Sequence, residues 1–157
     1  MRNGRRPADV WLAHWKNGRS GAVNFAVTSG LRNDIISTVA QDPAVVWGQY
    51  EDYKRQYLGT QANCNERNIE FLPFVVEAHG GGLGPVARKV CASIAQAAAA
   101  RAGEEVTHQA ASLLRRITST LQRENARAVL RRLPTQPRSQ SRSSPAAWGE
   151  DVEFAFQ

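Results

Sequence analysis

Asp9 stands immediately before an apolar run, Val10-Trp11-Leu12, and Asn24 interrupts a second one, Ala22-Val23-Asn24-Phe25-Ala26-Val27-Thr28, after 14 intervening residues. If the two runs are antiparallel neighbours, side chains on one face of the pair come close together. Two oxygen-bearing groups at such a point can hold Mg²⁺, leaving its remaining positions to water and a phosphate, which is the requirement of metal-dependent phosphodiester cleavage. Asn24 offers an amide carbonyl and no negative charge, so the pair should bind a cation more weakly than two carboxylates. An acid just before a strand more commonly serves as a turn or cap residue. Lys54 and Tyr57 come next, in Tyr50-Glu51-Asp52-Tyr53-Lys54-Arg55-Gln56-Tyr57. Positions i and i+3 share a helix face, and a lysine aimed at the metal would steady developing charge or orient the attacking water. Otherwise Lys54 belongs to an exposed helix face and Tyr57 to the core.

Glu77 and His79 end a further apolar stretch, Ile69 to Glu77, just before Gly80-Gly81-Gly82. The glycines could cradle a phosphate at the next helix N-terminus, but no phosphate-loop pattern follows, and a plain strand-to-helix turn is the simpler reading. His14 and His108 have no acid or cysteine at ligand spacing, and neither a zinc set nor a serine or cysteine nucleophile arrangement is visible.

The elements that must position these residues begin with Val10 to Trp15 and Ala22 to Thr28, joined through the turn signal Asn17-Gly18 into a hairpin. Leu31 to Gln41 fits either a short strand or a loop. Asp42-Pro43 starts a helix that continues at helical spacing, through Val46, Tyr50, Tyr53, Tyr57 and Leu58, to about Asn65. Ile69 to Glu77 is a third strand, and Pro73 confines it to an edge or a bulge. Pro85 opens a helix to about Ala102, and Glu104 to Leu133 forms a second, with an apolar stripe of Val106, Ala110, Leu113, Leu114, Ile117 and Leu121. The chain from Pro134 onward is rich in Ser, Arg, Gln and Pro and is expected to be disordered, at least to about Ala147.

The 157 residues fit one domain, and 42% apolar with 22% charged residues is ordinary for a globular protein. No run of about 18 apolar residues exists to span a membrane. The basic N-terminus lacks the apolar region of a secretory signal. Cys64 and Cys91 make no disulfide framework, so a reducing compartment, nuclear or cytoplasmic, is expected. The net charge of +6 favours an anionic partner, with nucleic acid foremost. Only Lys16, Lys54 and Lys89 of the 20 basic residues are lysine; arginine suits bidentate phosphate contacts, though a GC-rich coding sequence gives the same bias. Residues 1–100 carry +3, 101–142 carry +6 and 143–157 carry −3. The long helix, with Arg115, Arg116, Arg123 and Arg127, is either a phosphate-tracking face or a solvated one.

Taken in order, Arg6-Pro7-Ala8-Asp9, the Asn24 to Thr28 strand, then Lys54 and Tyr57 on a helix, resemble the PD-(D/E)XK, restriction-endonuclease-like domain that follows the reverse transcriptase of some non-LTR retrotransposons. Ile69 to Gly82 resembles the strand and glycine-rich turn of such domains, and the likeness covers about Arg5 to Ala102. It implies an α/β fold, a small mixed sheet of a hairpin and a further strand flanked by helices, with Mg²⁺ on Asp9 and Asn24 and a lysine, Lys54, displaced onto a helix beside Tyr57. It implies a DNA endonuclease whose hydrolysis is impaired because Asn24 replaces the second acid. Arg5, Arg6 and the arginines of the long helix would hold the DNA. It also implies an orphaned piece of a mobile element, since the reverse transcriptase of such an element does not lie within this chain. The expected organisation is 1–102 restriction-endonuclease-like domain, 103–133 long basic amphipathic helix and 134–157 disordered tail. Two readings compete with it: a non-catalytic nucleic-acid-binding remnant using the Arg-rich helix, and a helical protein-interaction module.

Overall fold

The computed structural model describes residues 8–132. Arg5, Arg6 and the tail from Pro134 lie outside the described residues. Strands β1 (Val10–Lys16) and β2 (Arg19–Thr28) form an antiparallel hairpin. Its turn works because Asn17 and Gly18 both take positive φ, 53° and 70°, the conformation that matches a two-residue hairpin turn to strand twist. The register shifts between Leu12 and Lys16, and Leu12 and Trp15 both pack against the same apolar cluster. Strand β3 (Ile69–Glu77) lies parallel to β2, from Ser20 opposite Ile69 to Thr28 opposite Glu77. The sheet is mixed, in the order β1-β2-β3, so β3 is an edge strand, where Pro73 costs no central ladder bond.

Between β2 and β3 the chain runs through α1 (Ile36–Val39), α2 (Val45–Gln56), a 3₁₀ turn (Tyr57–Gly59) and α3 (Thr60–Asn65). Leu31 to Gln41, expected as a short strand or a loop, is a loop that holds one short helix, Ile36–Val39. Two expectations are corrected here. The helix expected to run unbroken to Asn65 ends at Gln56, because Leu58 and Gly59 take left-handed conformations (φ 53° and 66°) that no α-helix continues through. The start expected at Asp42-Pro43 falls later: α2 begins at Val45 with Ala44 as its N-cap and no side-chain cap, and Asp42 Oδ1 instead accepts the Ala44 N–H at 2.9 Å in the preceding turn.

After β3 come α4 (Pro85–Ala102) and α5 (Val106–Arg132), a hairpin of helices turning at Gly103 with φ 67°. The side chains of the sheet divide by register. Val23, Leu72, Phe74 and Val76 pack with Ala87, Val90 and Cys91 of α4, and Leu113, Ile117 and Leu121 of α5 join them. Ala22 and Phe71, on the other face, pack with Cys64 of α3, and α2 leans on the same side, with Trp47 and Glu51 close to Gly84 and Val75. Val106 and Leu114, placed by the helical stripe in the core, are exposed. Burial pushes the thiols of Cys64 and Cys91 above the ordinary range, which keeps both protonated and unreactive. No helix among the described residues is long and apolar enough to cross a membrane.

Candidate functional site

Asp9 precedes β1 and pairs with β2 through its own N–H, which donates to the Val23 carbonyl at 2.9 Å. Since Val10 lies opposite Val23, Asp9 falls opposite Asn24, and the two side chains touch. Asp9 Oδ2 accepts from Asn24 Nδ2 at 3.3 Å and from the Phe25 backbone N–H at 2.7 Å. Asp9 is exposed and Asn24 half-buried. The Asn24 Oδ1 atom is buried and finds no hydrogen-bond partner among the described residues, and Thr28 Oγ1, four positions along β2, is in the same state. Both alternate with Val23, Phe25 and Val27 and so face the α2–α3 side.

Lys54 and Tyr57 come from the layer on that side. Lys54 Nζ lies 5.8 Å from the ring centroid of Tyr50, at cation–π distance. Tyr57 ends α2, exposed, its ring 5.5 Å from that of Tyr53. Among the described residues no hydrogen bond or ion pair joins either side chain to Asp9 or Asn24, and no group of three or more His, Cys, Asp and Glu gathers where a metal could sit.

Glu77 and His79 do different work from each other. Glu77 Oε2 accepts the N–H groups of His79 and Gly80 at 2.9 and 2.6 Å, closing the turn after β3. His79 Nε2 meets Ser29 Oγ at 3.0 Å. The turn is tied to α5 by Gln122 and Asn125, which donate to the carbonyls of His79 and Ala78. A cavity of about 550 Å³ opens here, at the carboxyl ends of β2 and β3, between Leu31, Ile36, Val46 and Trp47 on one side and Glu77 and His79 on the other.

The glycines do not cradle a phosphate. A Cβ on Gly82 would stand 2.7 Å from Trp47 Cζ2, and one on Gly84 would stand 2.6 Å from Glu51 Oε1. They are spacers that let α2 approach the turn. The anion at the α4 N-terminus is the protein's own: Glu51, only 3% exposed, accepts the Val86 N–H through Oε1 at 3.0 Å and Arg55 through Oε2 at 3.0 Å. That cap escaped the sequence reading because its partner lies 35 residues away; the only local sign was the i,i+4 pairing of Glu51 with Arg55.

The arginines of α5 are exposed. Glu124 takes Arg127 and approaches Arg123 at 3.7 Å, whereas Arg115 and Arg116 have no ion pair among the described residues. Because α5 joins the cluster on the α4 face, these arginines belong to the side of the sheet opposite Asp9 and Asn24. Comparisons with protein-family models, with curated proteins and with solved structures find no match for this chain.

Proposed function

We propose that the chain is a nuclease-like, nucleic-acid-binding domain of the restriction-endonuclease type, derived from a retrotransposon. Its metal site is built on Asp9 and attenuated at Asn24. The observation that carries this reading is the buried, unpartnered Asn24 Oδ1 beside the Asp9 carboxylate. Leaving a buried acceptor unsatisfied costs about 1–3 kcal/mol, and such an atom marks a place where an ion or a water completes the structure. Asp9 and Asn24 together offer hard oxygens that suit Mg²⁺, though with a single negative charge. When bound, the ion would polarise a phosphate and acidify a coordinated water.

The chain's own residues define the rest. The Phe25 N–H fixes the Asp9 carboxylate against β2. Lys54, once turned from Tyr50, would supply positive charge to the phosphate from the covering layer, with Tyr57 beside it. The Asn24 amide meanwhile gives Asp9 a donor that stands in for part of a cation's charge. Hydrolysis is therefore weak or lost in this chain. An Asp at position 24 would set two carboxylates side by side, an arrangement relieved by binding a divalent ion.

The test is Mg²⁺-dependent nicking of supercoiled plasmid by the parent and by Asn24→Asp. The variant is expected to nick at least about tenfold faster, equivalent to about 1.4 kcal/mol of barrier, and a further Asp9→Ala change is expected to remove the gain. Should Asn24→Asp stay as inert as the parent and bind no Mg²⁺ by calorimetry, the catalytic reading fails. A second reading, binding of nucleic acid without catalysis, is favoured by one observation: among the described residues Arg115 and Arg116 have no ion pair, and they stand on the face away from Asp9.

A further inference from the structure

An apolar groove of about 620 Å³ runs between the β1–β2 hairpin and the helices α4 and α5. It exists because α4 packs on β3 rather than on the hairpin, so half of that sheet face goes uncovered. Phe25 and Val27, in the C-terminal half of β2, the middle strand of the sheet, are 50% and 55% exposed, and Val10 and Ile94 beside them are exposed as well. Among the described residues, the only charged ones lining the groove are Arg116 and Glu124. Glu124 is engaged by Arg127 and Arg123, which leaves Arg116 as the basic group at the rim.

One segment of this chain has the complementary chemistry. Asp151-Val152-Glu153-Phe154-Ala155-Phe156 carries its large apolar residues at every second position, which places Val152, Phe154 and Phe156 on one side of an extended chain. Glu150, Asp151 and Glu153 give it three acids, and no basic residue follows Arg142. The distance is also covered. From Arg132 back to Thr120, beside the groove, is about 18 Å along a helix rising 1.5 Å per residue. The 15 residues from Leu133 to Ala147 reach about 50 Å when extended.

We propose that Glu150–Phe156 docks in cis into this groove, with Val152, Phe154 and Phe156 against Phe25, Val27 and Ile94, and Glu150, on the same side of the extended segment, toward Arg116. The inference is independent of the Asp9–Asn24 site, since it concerns the opposite face of the sheet, but it competes with nucleic acid for Arg116. It accounts for an apolar surface on the middle strand of the sheet that the described residues leave open, and it neutralises a basic rim with the one acidic segment of a basic chain.

The test uses the full chain, methyl-labelled at Ile, Leu and Val, by NMR. Nuclear Overhauser contacts are expected from the rings of Phe154 and Phe156 to the methyls of Val10, Val27 and Ile94. The double variant Phe154→Glu/Phe156→Glu is expected to erase them and shift those methyl resonances, leaving Val46 and Val75 on the other face unmoved. Absence of ring contacts in the parent overturns the proposal. So do contacts seen only between differently labelled copies in a mixed sample, which would assign the groove to a second copy.

Discussion

Removing the Glu51 carboxylate strands two groups, the Val86 N–H at the start of α4 and the half-buried Arg55 guanidinium. Breaking a buried ion pair from one side costs more than the pair contributes, because the survivor stays desolvated. Arg55 is 33% exposed, so water recovers part of the loss. Glu51→Ala is expected to lower stability by about 2–3 kcal/mol, read as a fall in urea midpoint with unchanged slope. An Asp9→Ala change, which frees only an exposed carboxylate contact, is expected to cost no more than about 1 kcal/mol in the same experiment. That Asp9 and Asn24 lie on neighbouring strands was legible in the sequence, but their direct opposition was not: a regular ladder from the Asn17-Gly18 turn would set Asp9 opposite Ala26, and the register shift between Leu12 and Lys16 moves it to Asn24. Nor was the orphaned Oδ1. Its isolation depends on what α2 and α3 place above it, which no local pattern encodes.

At the scale of elements, α2 and the turn after β3 are locked by close approach. Trp47 Nε1 donates to the Gly82 carbonyl at 3.0 Å while its ring occupies the space a Cβ would need. Gly82→Ala is therefore expected to cost about 1–3 kcal/mol through overpacking, measured by thermal unfolding. Gly80→Ala serves as the control: its Cβ would make only ordinary contact with Glu77, at 3.5 Å, and little change is expected. Strands and helices declared themselves through period and punctuation: β-branched runs around Asn17-Gly18, Pro73 on an edge, and Pro85 at a helix start. The break at Leu58 did not, because apolar and aromatic spacing runs on through Tyr57 and only Gly59 hints at a stop. The sequence also could not show that α4 would settle on β3 and leave the hairpin bare, since docking position is decided by tertiary packing rather than by periodicity.

The whole molecule separates its two candidate functions by a sheet. Asp9 and Asn24 face the α2–α3 layer, and Arg115 and Arg116 lie with α5 behind the other face. The two surfaces can be altered independently. Arg115→Ala/Arg116→Ala is expected to weaken duplex binding and to flatten its dependence on the logarithm of salt by roughly two. Asp9→Ala is expected to leave both quantities unchanged. Fluorescence anisotropy across a salt series decides it, and a salt slope indifferent to both arginines removes α5 from the interface.

The parallel register of β2 and β3 has a consequence in time. Asn24 and Pro73 pair across 49 positions of chain, whereas the β1–β2 hairpin and the α4–α5 pair each close over a short turn. Loop-closure entropy must be spent before a distant contact returns anything, so the local pairs form early and β3 arrives last. Until it does, Val23, Phe25 and Val27 stand on a strand with one unpaired edge, a template for another chain in the same condition. Refolding is thus a race between β3 and a neighbour, and its yield is set by protein concentration.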